Sequence, residues 1–224
     1  MRDAFHEDLD RITDELVEMT RLTGSAMSRA TMALLDADLA IAESVIAADE
    51  QIDAIRADLD DHAISLLARQ QPVATDLRIV VTAMHMASDL ERMGDLARHI
   101  AKVARLRYPN SAVPPEIRST VVEMDQVATR IVAKAGSIIA AKDVEAAETL
   151  HKDDDAMDAL HLRVFELLLG DHWPHGTAAA VDITLLARYY ERFADHAVAV
   201  ARRVVFLVTG EWTRHPVATV GGSD

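Results

Sequence analysis

The sequence predicts an all-α protein built from two tandem three-helix bundles that are related by internal duplication. Three observations predict this fold class. Apolar residues recur in alternating steps of three and four, which places them along one face of an α-helix. Only 6 prolines and 8 glycines interrupt the 224 residues, so the predicted helices are long. The two halves of the chain also align with each other, position by position.

Three helices are predicted in the first half, each bounded by a break in the apolar pattern. Asp36-Ala37-Asp38 separates the first helix from the second. Gln70-Gln71-Pro72 ends the second, since proline cannot continue a helix interior. The third helix reaches the proline-rich stretch that starts at Tyr108. The three apolar stripes begin with Leu9, Ile12 and Leu16, with Ile41, Val45 and Ala48, and with Ala83, Met86 and Leu90.

Three further helices are predicted in the second half. The fourth starts at Pro115, a residue suited to a first helical turn, and ends near Lys142-Asp143. The fifth continues to about Gly170, and the sixth follows a loop that ends at Gly176. Periodicity is lost after Gly210. The predicted organisation is a first repeat over 1–108, a linker over 109–115, a second repeat over 116–210 and a flexible tail over 211–224.

The two halves match in two constant registers. A shift of 105 positions places Met19 on Met124 across the first two helices of each half. In the third helix the shift becomes 100, which places Glu91 on Glu191. The change falls in an inter-helix loop, where a difference in length is tolerated. The agreement predicts that each repeat is a copy of the same three-helix unit.

Acidic residues four positions apart occur on the second and third predicted helices of both repeats. Residues four apart share a helix face, and like charges there cost roughly 0.2–0.5 kcal/mol per pair. In an antiparallel hairpin, the two pairs of one repeat can face each other across a groove. Each repeat is therefore expected to gather four carboxylates: Asp49, Asp53, Glu91 and Asp95 in a first-repeat cluster, and Asp154, Asp158, Glu191 and Asp195 in a second-repeat cluster.

Four neighbouring carboxylates need positive charge to neutralise them. Oxygen ligands suit Mg²⁺, Mn²⁺, Ca²⁺ and carboxylate-bridged iron, whereas zinc is less typical without His or Cys ligands. Acids beside a bundle seam alternatively pair with basic residues of the neighbouring helix or face water. Both interpretations stay open on the sequence, because arginines are available: Arg56, Arg78, Arg92, Arg98, Arg188, Arg192 and Arg202.

Composition and missing motifs exclude several classes of protein. The formal net charge of −14 argues against nucleic acid as a partner and against general attachment to an anionic membrane. The chain has no Cys, which excludes disulfides and thiolate metal sites. No apolar run approaches the ~18–20 residues of a membrane span, and the N-terminus has no hydrophobic signal core. A cytoplasmic protein without direct membrane insertion is expected. No nucleophile–base motif, phosphate loop or dinucleotide fingerprint occurs, so no enzymatic activity is expected.

The paired motifs resemble those of the PhoU family of phosphate-uptake regulators. Each repeat carries Asp-x-x-Ile/Met-Asp on its second helix and Glu-Arg-x-Gly/Ala-Asp on its third. The resemblance covers about residues 5–210. It implies an all-α cytoplasmic protein, often dimeric and without enzymatic turnover.

The family resemblance also implies a function. Its members are negative regulators of phosphate uptake and of the phosphate-starvation response. They act as adaptors between a phosphate ABC transporter and a sensor histidine kinase. The expected partners are therefore the transporter's ATPase subunit, the kinase and a second copy of the chain. Some members bind multinuclear metal clusters on these motifs, which assigns metal-ligand roles, for a divalent ion such as Mg, Mn, Fe or Zn, to Asp49, Asp53, Glu91, Asp95, Asp154, Asp158, Glu191 and Asp195.

Two alternatives share the acidic clusters. One is a carboxylate-bridged metal-binding helical-bundle enzyme or ion store. Glu148 and His151 have the Glu-x-x-His spacing of di-iron bundles, but the first repeat has Ile46 where a second histidine would be needed. The other is a metal-free helical adaptor, in which the acids only solubilise the bundle seam.

Overall fold

The computed structural model describes residues 2–170 and 173–212, which form helices and no strand. The predicted all-α fold class is confirmed. Residues 171–172 of the predicted loop and residues 213–224 of the predicted tail lie outside the described residues. The helices are α1 (Arg2–Asp36), α2 (Leu39–Gln70), α3 (Thr75–Arg107), α4 (Pro115–Ala141), α5 (Val144–Thr149), α6 (His151–Leu169) and α7 (Gly176–Thr209).

The loops after α1 and after α4 share one geometry, as the duplication predicts. Ala37 and Lys142 occupy matching positions, and both have left-handed backbones with φ of 50° and 52°. The next residue caps the following helix in both repeats. Asp38 accepts from the Ile41 backbone N–H at 2.9 Å, and Asp143 accepts from that of Ala146 at 3.0 Å. Such caps satisfy backbone donors that a helix start leaves free.

The prediction of one continuous fifth helix was wrong, because the structure divides it at Leu150 into α5 and α6. Two side chains bond to carbonyls of the preceding turn at this point. The Thr149 hydroxyl donates to the Ala146 carbonyl at 3.1 Å, and His151 Nδ1 lies 2.8 Å from the Glu148 carbonyl oxygen. Such local bonds compete with the backbone ladder. Glu148 and His151 therefore lie on different helices, unlike the two ligands of a di-iron Glu-x-x-His motif.

The two repeats pack against each other along their lengths. Helix α1 contacts α4 and helix α3 contacts α7, while α2 and α6 flank the α1–α3 and α4–α7 pairs. Most buried apolar side chains of both repeats belong to one continuous core. The core is largely aliphatic, with Tyr190 and Phe193 as its largest fully buried residues. None of the described helices is both long and apolar enough to cross a membrane.

A buried polar network crosses the interface between the repeats. The Thr31 hydroxyl on α1 lies 2.6 Å from the Tyr190 hydroxyl on α7. It also lies within hydrogen-bonding distance, 3.0 Å, of Asp125 Oδ1 on α4. Burial raises the pKa of Tyr190 far above its usual range, so this phenol stays neutral. Buried polar groups must be paired to avoid a desolvation penalty, and each group here has a partner.

Candidate functional site

The four acids of the first-repeat cluster converge on the groove between α2 and α3. Asp49 is buried on α2, whereas Asp53 is exposed one turn later. The charges of Asp53, Asp95 and Glu91 all raise the pKa of Asp49, which places the three near it. The periodicity therefore predicted correctly that the two helices bring their acidic pairs together.

Arg98 bridges the two helices inside the first-repeat cluster. Its Nη1 forms an ion pair with Asp49 Oδ2 on α2, and its Nη2 pairs with Asp95 Oδ1 on its own helix. The contact with Asp49 is an ion pair without hydrogen-bond geometry. Arg92 Nη1 donates to the other oxygen of Asp95 at 2.7 Å. The side chains of Asp49 and Asp95 are only 4% and 11% exposed, so solvent screens these contacts weakly.

In the first-repeat cluster, arginines partly offset the effects of burial and of neighbouring carboxylates on the pKa values of the acids. The pKa of Asp49 is raised to about 6, mainly by burial and also by the three neighbouring carboxylates, while Arg98 opposes the shift. Burial likewise raises the pKa of Glu91, with Asp95 and Asp53 adding to the shift and Arg56 and Arg92 opposing it. Arginine thus supplies the opposing charge in both cases.

The second-repeat cluster has the same acids and a different environment. Val198 stands where the first repeat has Arg98, and it is buried in the core. The pKa of Asp154 is raised to about 7, mainly by burial and also by the charges of Asp158, Asp195 and Glu191. No cation is among the causes of that shift. The four carboxylates are therefore close together, but the charge of Asp154 is not offset.

Two carboxylate oxygens of the second-repeat cluster are buried without a hydrogen-bond partner among the described residues: Asp154 Oδ1 and Glu191 Oε2. Arg188 pairs with the other oxygen of Glu191. His161, which replaces Arg56 in the repeat register, also has a buried nitrogen, Nε2, without a hydrogen bond. Unpaired buried acceptors are costly, so this cluster favours a cation or a proton more than the first does.

The residues at which the second and third helices of each repeat approach each other also differ between the clusters. A Cβ on Gly94 would lie 2.9 Å from Ile52 Cδ1 and 3.2 Å from Asp49 Oδ1. The absence of a side chain thus lets α3 approach α2 beside the acids. The second repeat has Ala194 there, and Met157 replaces Ile52; both are fully buried. Methionine is unbranched and fills irregular gaps, which accommodates the added methyl group.

The acids do not form a complete metal site as they stand. In the part of the chain that the structure describes, no group of three or more His, Asp or Glu side chains is arranged to hold a metal ion. Asp53, Asp158 and Asp195 are exposed, so their side chains are free to rotate toward a cation. The buried unpaired oxygens of Asp154 and Glu191 fit such a group, whereas Arg98 already fills the first-repeat cluster.

Arg98 is one of the seven arginines that the sequence offers as partners for the acids, and it was not singled out among them. The signal was available in the duplication, because the shift of 100 that matches Glu91 with Glu191 also pairs Arg98 with Val198. His161 was not among the residues predicted for the site. Its ring does contact Phe165 edge-on at 5.0 Å, but Nε2 remains without a hydrogen-bond partner.

Comparison with known sequences finds the same duplication. A family model described as "PhoU domain" matches residues 16–104 and again residues 121–204. The phosphate-specific transport system accessory protein PhoU homolog 2 of Mycobacterium tuberculosis is 50% identical over 210 residues, covering 94% of this chain and 99% of the relative. Homolog 1 of Mycobacterium leprae is 48% identical over 223 residues and covers 100% of both.

Solved structures share the architecture. The crystal structure of PhoU from Pseudomonas aeruginosa superposes with a TM-score of 0.82 at 29% identity, over 92% of this chain and 100% of that one. A phosphate transport system regulatory protein PhoU from Streptococcus pneumoniae superposes with a TM-score of 0.84 at 24% identity, over 94% and 100%. At that identity the second likeness supports the fold alone.

Proposed function

Because this chain belongs to the PhoU family, we propose that it is a negative regulator of phosphate uptake and of the phosphate-starvation response. The observation that carries the proposal is the near full-length match, at 50% identity, to a relative named as an accessory protein of the phosphate-specific transport system. Family membership supports an accessory and regulatory role rather than an enzymatic one. The finer role is that of an adaptor between the transporter and a kinase.

The proposed partners are the ATPase subunit of a phosphate ABC transporter, a sensor histidine kinase and a second copy of the chain. The first two interactions would require a cytoplasmic protein, because the nucleotide-binding and kinase domains of such systems lie in the cytoplasm. The long helices offer extended surfaces, and exposed apolar residues are present on several of them, including Leu77, Leu162 and Val181. Such residues contribute to protein interfaces.

Gene deletion tests the regulatory role. Deletion is expected to raise expression from a phosphate-responsive promoter, and to raise phosphate uptake, in phosphate-rich medium. Mycobacterium tuberculosis has two PhoU homologs, so the experiment includes a double deletion wherever the host carries a second copy. Complementation with the intact gene must restore repression. Unchanged promoter activity and uptake in the double deletion would contradict the proposal.

Purified components test the partners. The full chain is mixed with the transporter's ATPase subunit or with the cytoplasmic part of the kinase, and association is followed by isothermal calorimetry. Light scattering after size-exclusion chromatography measures the mass of the chain alone against its 24.5 kDa monomer. Binding to neither protein would remove the adaptor role, and a monomeric mass would remove the homodimer.

We further propose that the second-repeat cluster binds a divalent metal ion through Asp154, Asp158, Glu191 and Asp195. The buried unpaired oxygens of Asp154 and Glu191 support this assignment. A bound ion supplies positive charge to carboxylates that the protein leaves unbalanced. Metal analysis of the purified chain after exposure to Mn²⁺, Fe²⁺ or Zn²⁺ tests it, with Asp154→Asn/Asp195→Asn as the matched control. Oxygen consumption with ferrous iron separates a regulator from a carboxylate-bridged oxidase, since only the oxidase turns over.

A further inference from the structure

We propose that Arg98 is a built-in cation that takes the place of a metal ion in the first-repeat cluster, so that this repeat does not bind metal. The inference uses the acidic pattern of the proposed function but depends neither on the regulatory role nor on metal in the second repeat. Arg98 then determines whether the first-repeat cluster can bind a metal ion.

Arg98 lies between the two helices, where a metal ion that bridges their carboxylates would lie. Its two terminal nitrogens contact carboxylates on different helices, Asp49 on α2 and Asp95 on α3. Together these two acids are the most deeply buried members of the cluster. A metal ion shared between the helices would draw its ligands from the same two carboxylates. The guanidinium therefore competes directly for the ligands.

The charge of Arg98 is permanent. Guanidinium groups do not lose their proton in proteins, so the pair persists at every pH at which the acids are ionised. A free metal ion must be bound from solution and shed its water first. A covalently attached cation is already in place, and its effective concentration does not vary with metal supply. The first-repeat cluster is thus insulated from changes in metal availability.

At two positions near the acids, the first repeat has an arginine and the second repeat does not. Arg98 corresponds to Val198, and Arg56 corresponds to His161. Arg56 lowers the pKa of Glu91, so it too acts on the cluster. The second repeat has thus replaced one cation by an apolar residue and another by a residue that is itself a metal ligand type. Both differences leave Asp154 with less positive charge from the protein, whereas Glu191 keeps an ion pair with Arg188, which stands where the first repeat has Ser88.

Metal content of engineered chains tests the proposal. The parent carries Asp154→Asn, Asp158→Asn, Glu191→Gln and Asp195→Asn, so that bound metal reports on the first repeat alone. After dialysis against Mn²⁺ or Zn²⁺, the parent is expected to hold no metal by mass spectrometry. Adding Arg98→Val, which copies the second repeat, is expected to yield at least one ion per chain. Its Tm should then rise with metal concentration, as ligand linkage requires.

Two further variants keep the test decisive. Arg98→Lys retains a positive charge and is expected to stay metal-free. Arg98→Gln is close in shape but neutral, so it serves where Arg98→Val loses the helical circular dichroism of the parent. Metal bound by the parent overturns the proposal, because Arg98 would then have failed to exclude it. A folded Arg98→Gln chain that takes up no metal also overturns it.

This outcome is separable from the proposed function. Metal in the second repeat is measured on the chain with all eight acids intact, and the regulatory role is measured by gene deletion. Val198→Arg in the intact chain provides the reverse exchange. It is expected to lower metal content in the second repeat toward zero while leaving the first-repeat cluster unchanged.

Discussion

The two acidic clusters share their carboxylates and differ in what surrounds them. In the first repeat Arg98 ties Asp49 to Asp95 across two helices. In the second, Val198 is buried in the core and Asp154 is left with a pKa of about 7. The duplication preserved the acids and changed the counter-charge. Neighbouring cations, more than the acids themselves, therefore determine whether the protein already neutralises such a cluster.

Removing the bridge has the largest expected effect. Arg98→Met is expected to lower the free energy of unfolding by about 2–4 kcal/mol in metal-free buffer at neutral pH. Breaking a buried pair leaves uncompensated charge, which costs roughly 3–5 kcal/mol, reduced here because the arginine is partly exposed. Urea denaturation measures the loss.

The double variant Arg98→Met/Asp49→Asn should recover part of that stability, since the unpaired charge is gone. Arg192→Ala is the control, because this exposed arginine should change stability by less than about 0.5 kcal/mol. Equal losses for Arg98→Met and Arg192→Ala would show that the bridge contributes nothing.

The second-repeat cluster should respond to pH instead. The pKa of Asp154 is raised from 3.8 to about 7, so the folded protein retains a proton that the unfolded chain has lost. The stability that the folded protein gains from this proton is fully present below about pH 4 and is lost as pH rises through about 7. Asp154→Asn should therefore be the more stable protein above pH 7, by about 1–2 kcal/mol after allowing for solvent screening.

Urea denaturation with chelator at pH 5 and pH 8 measures this difference, which should be larger at pH 8. Asp158→Asn, at an exposed position in the same cluster, is the matched control and should give a smaller change. A wild-type chain that gains stability over Asp154→Asn between pH 5 and pH 8 would contradict the expected sign.

A smaller effect is expected at the interface between the repeats. Tyr190→Phe removes the hydroxyl that pairs with Thr31 at 2.6 Å but leaves the Thr31–Asp125 contact in place. The expected loss is about 1 kcal/mol, the net value of one hydrogen bond. Thermal unfolding checks it, and Tyr189→Phe is the control. A Tm equal to that of wild type would remove this contact from the list of stabilising interactions.

The smallest effect concerns helix spacing. Gly94→Ala crowds Ile52, which offsets the roughly 1 kcal/mol that alanine gains over glycine in a helix. The net change should stay within about 1 kcal/mol. With Ile52→Met, which copies the second repeat, Gly94→Ala should become stabilising. A double-mutant cycle measures this coupling, and strict additivity of the two changes would contradict it.

The sequence predicted those features that local chemistry decides. The ends of α1, α2 and α4 follow from Asp38, Pro72 and Lys142-Asp143, each acting on its own turn. The division at Leu150 was missed, because no proline or glycine marks it, and the bonds of Thr149 and His151 to nearby carbonyls are not visible in the periodicity. Periodicity predicts which face a residue occupies, but it does not predict which carbonyl a hydroxyl or ring will reach.

The candidate site also has a part that the sequence predicted and a part that it did not. Spacing of four was enough to predict that the acids converge, since helical geometry fixes their face. The contrast of Arg98 with Val198 in the repeat register could have singled out this arginine, but the partners that it reaches were not predictable, because long side chains reach different partners from similar positions. Arg78, for example, donates through Nε to the Leu207 carbonyl at 3.1 Å. Whether the eight acids bind metal stays a prediction that the proposed metal analysis addresses.

The network of Thr31, Asp125 and Tyr190 has a consequence for the history of the chain. In the repeat register its counterparts are Gly136, Thr20 and Leu90, and a Cβ on Gly136 would lie 2.5 Å from Thr20 Oγ1. One end of the interface between the repeats thus carries a buried hydrogen-bond network, while the matching end is a close contact between Thr20 and Gly136. A chain built from two copies of the second repeat would place glycine where the Thr31 hydroxyl now meets Tyr190. The two halves have become complementary parts, and neither can now substitute for the other.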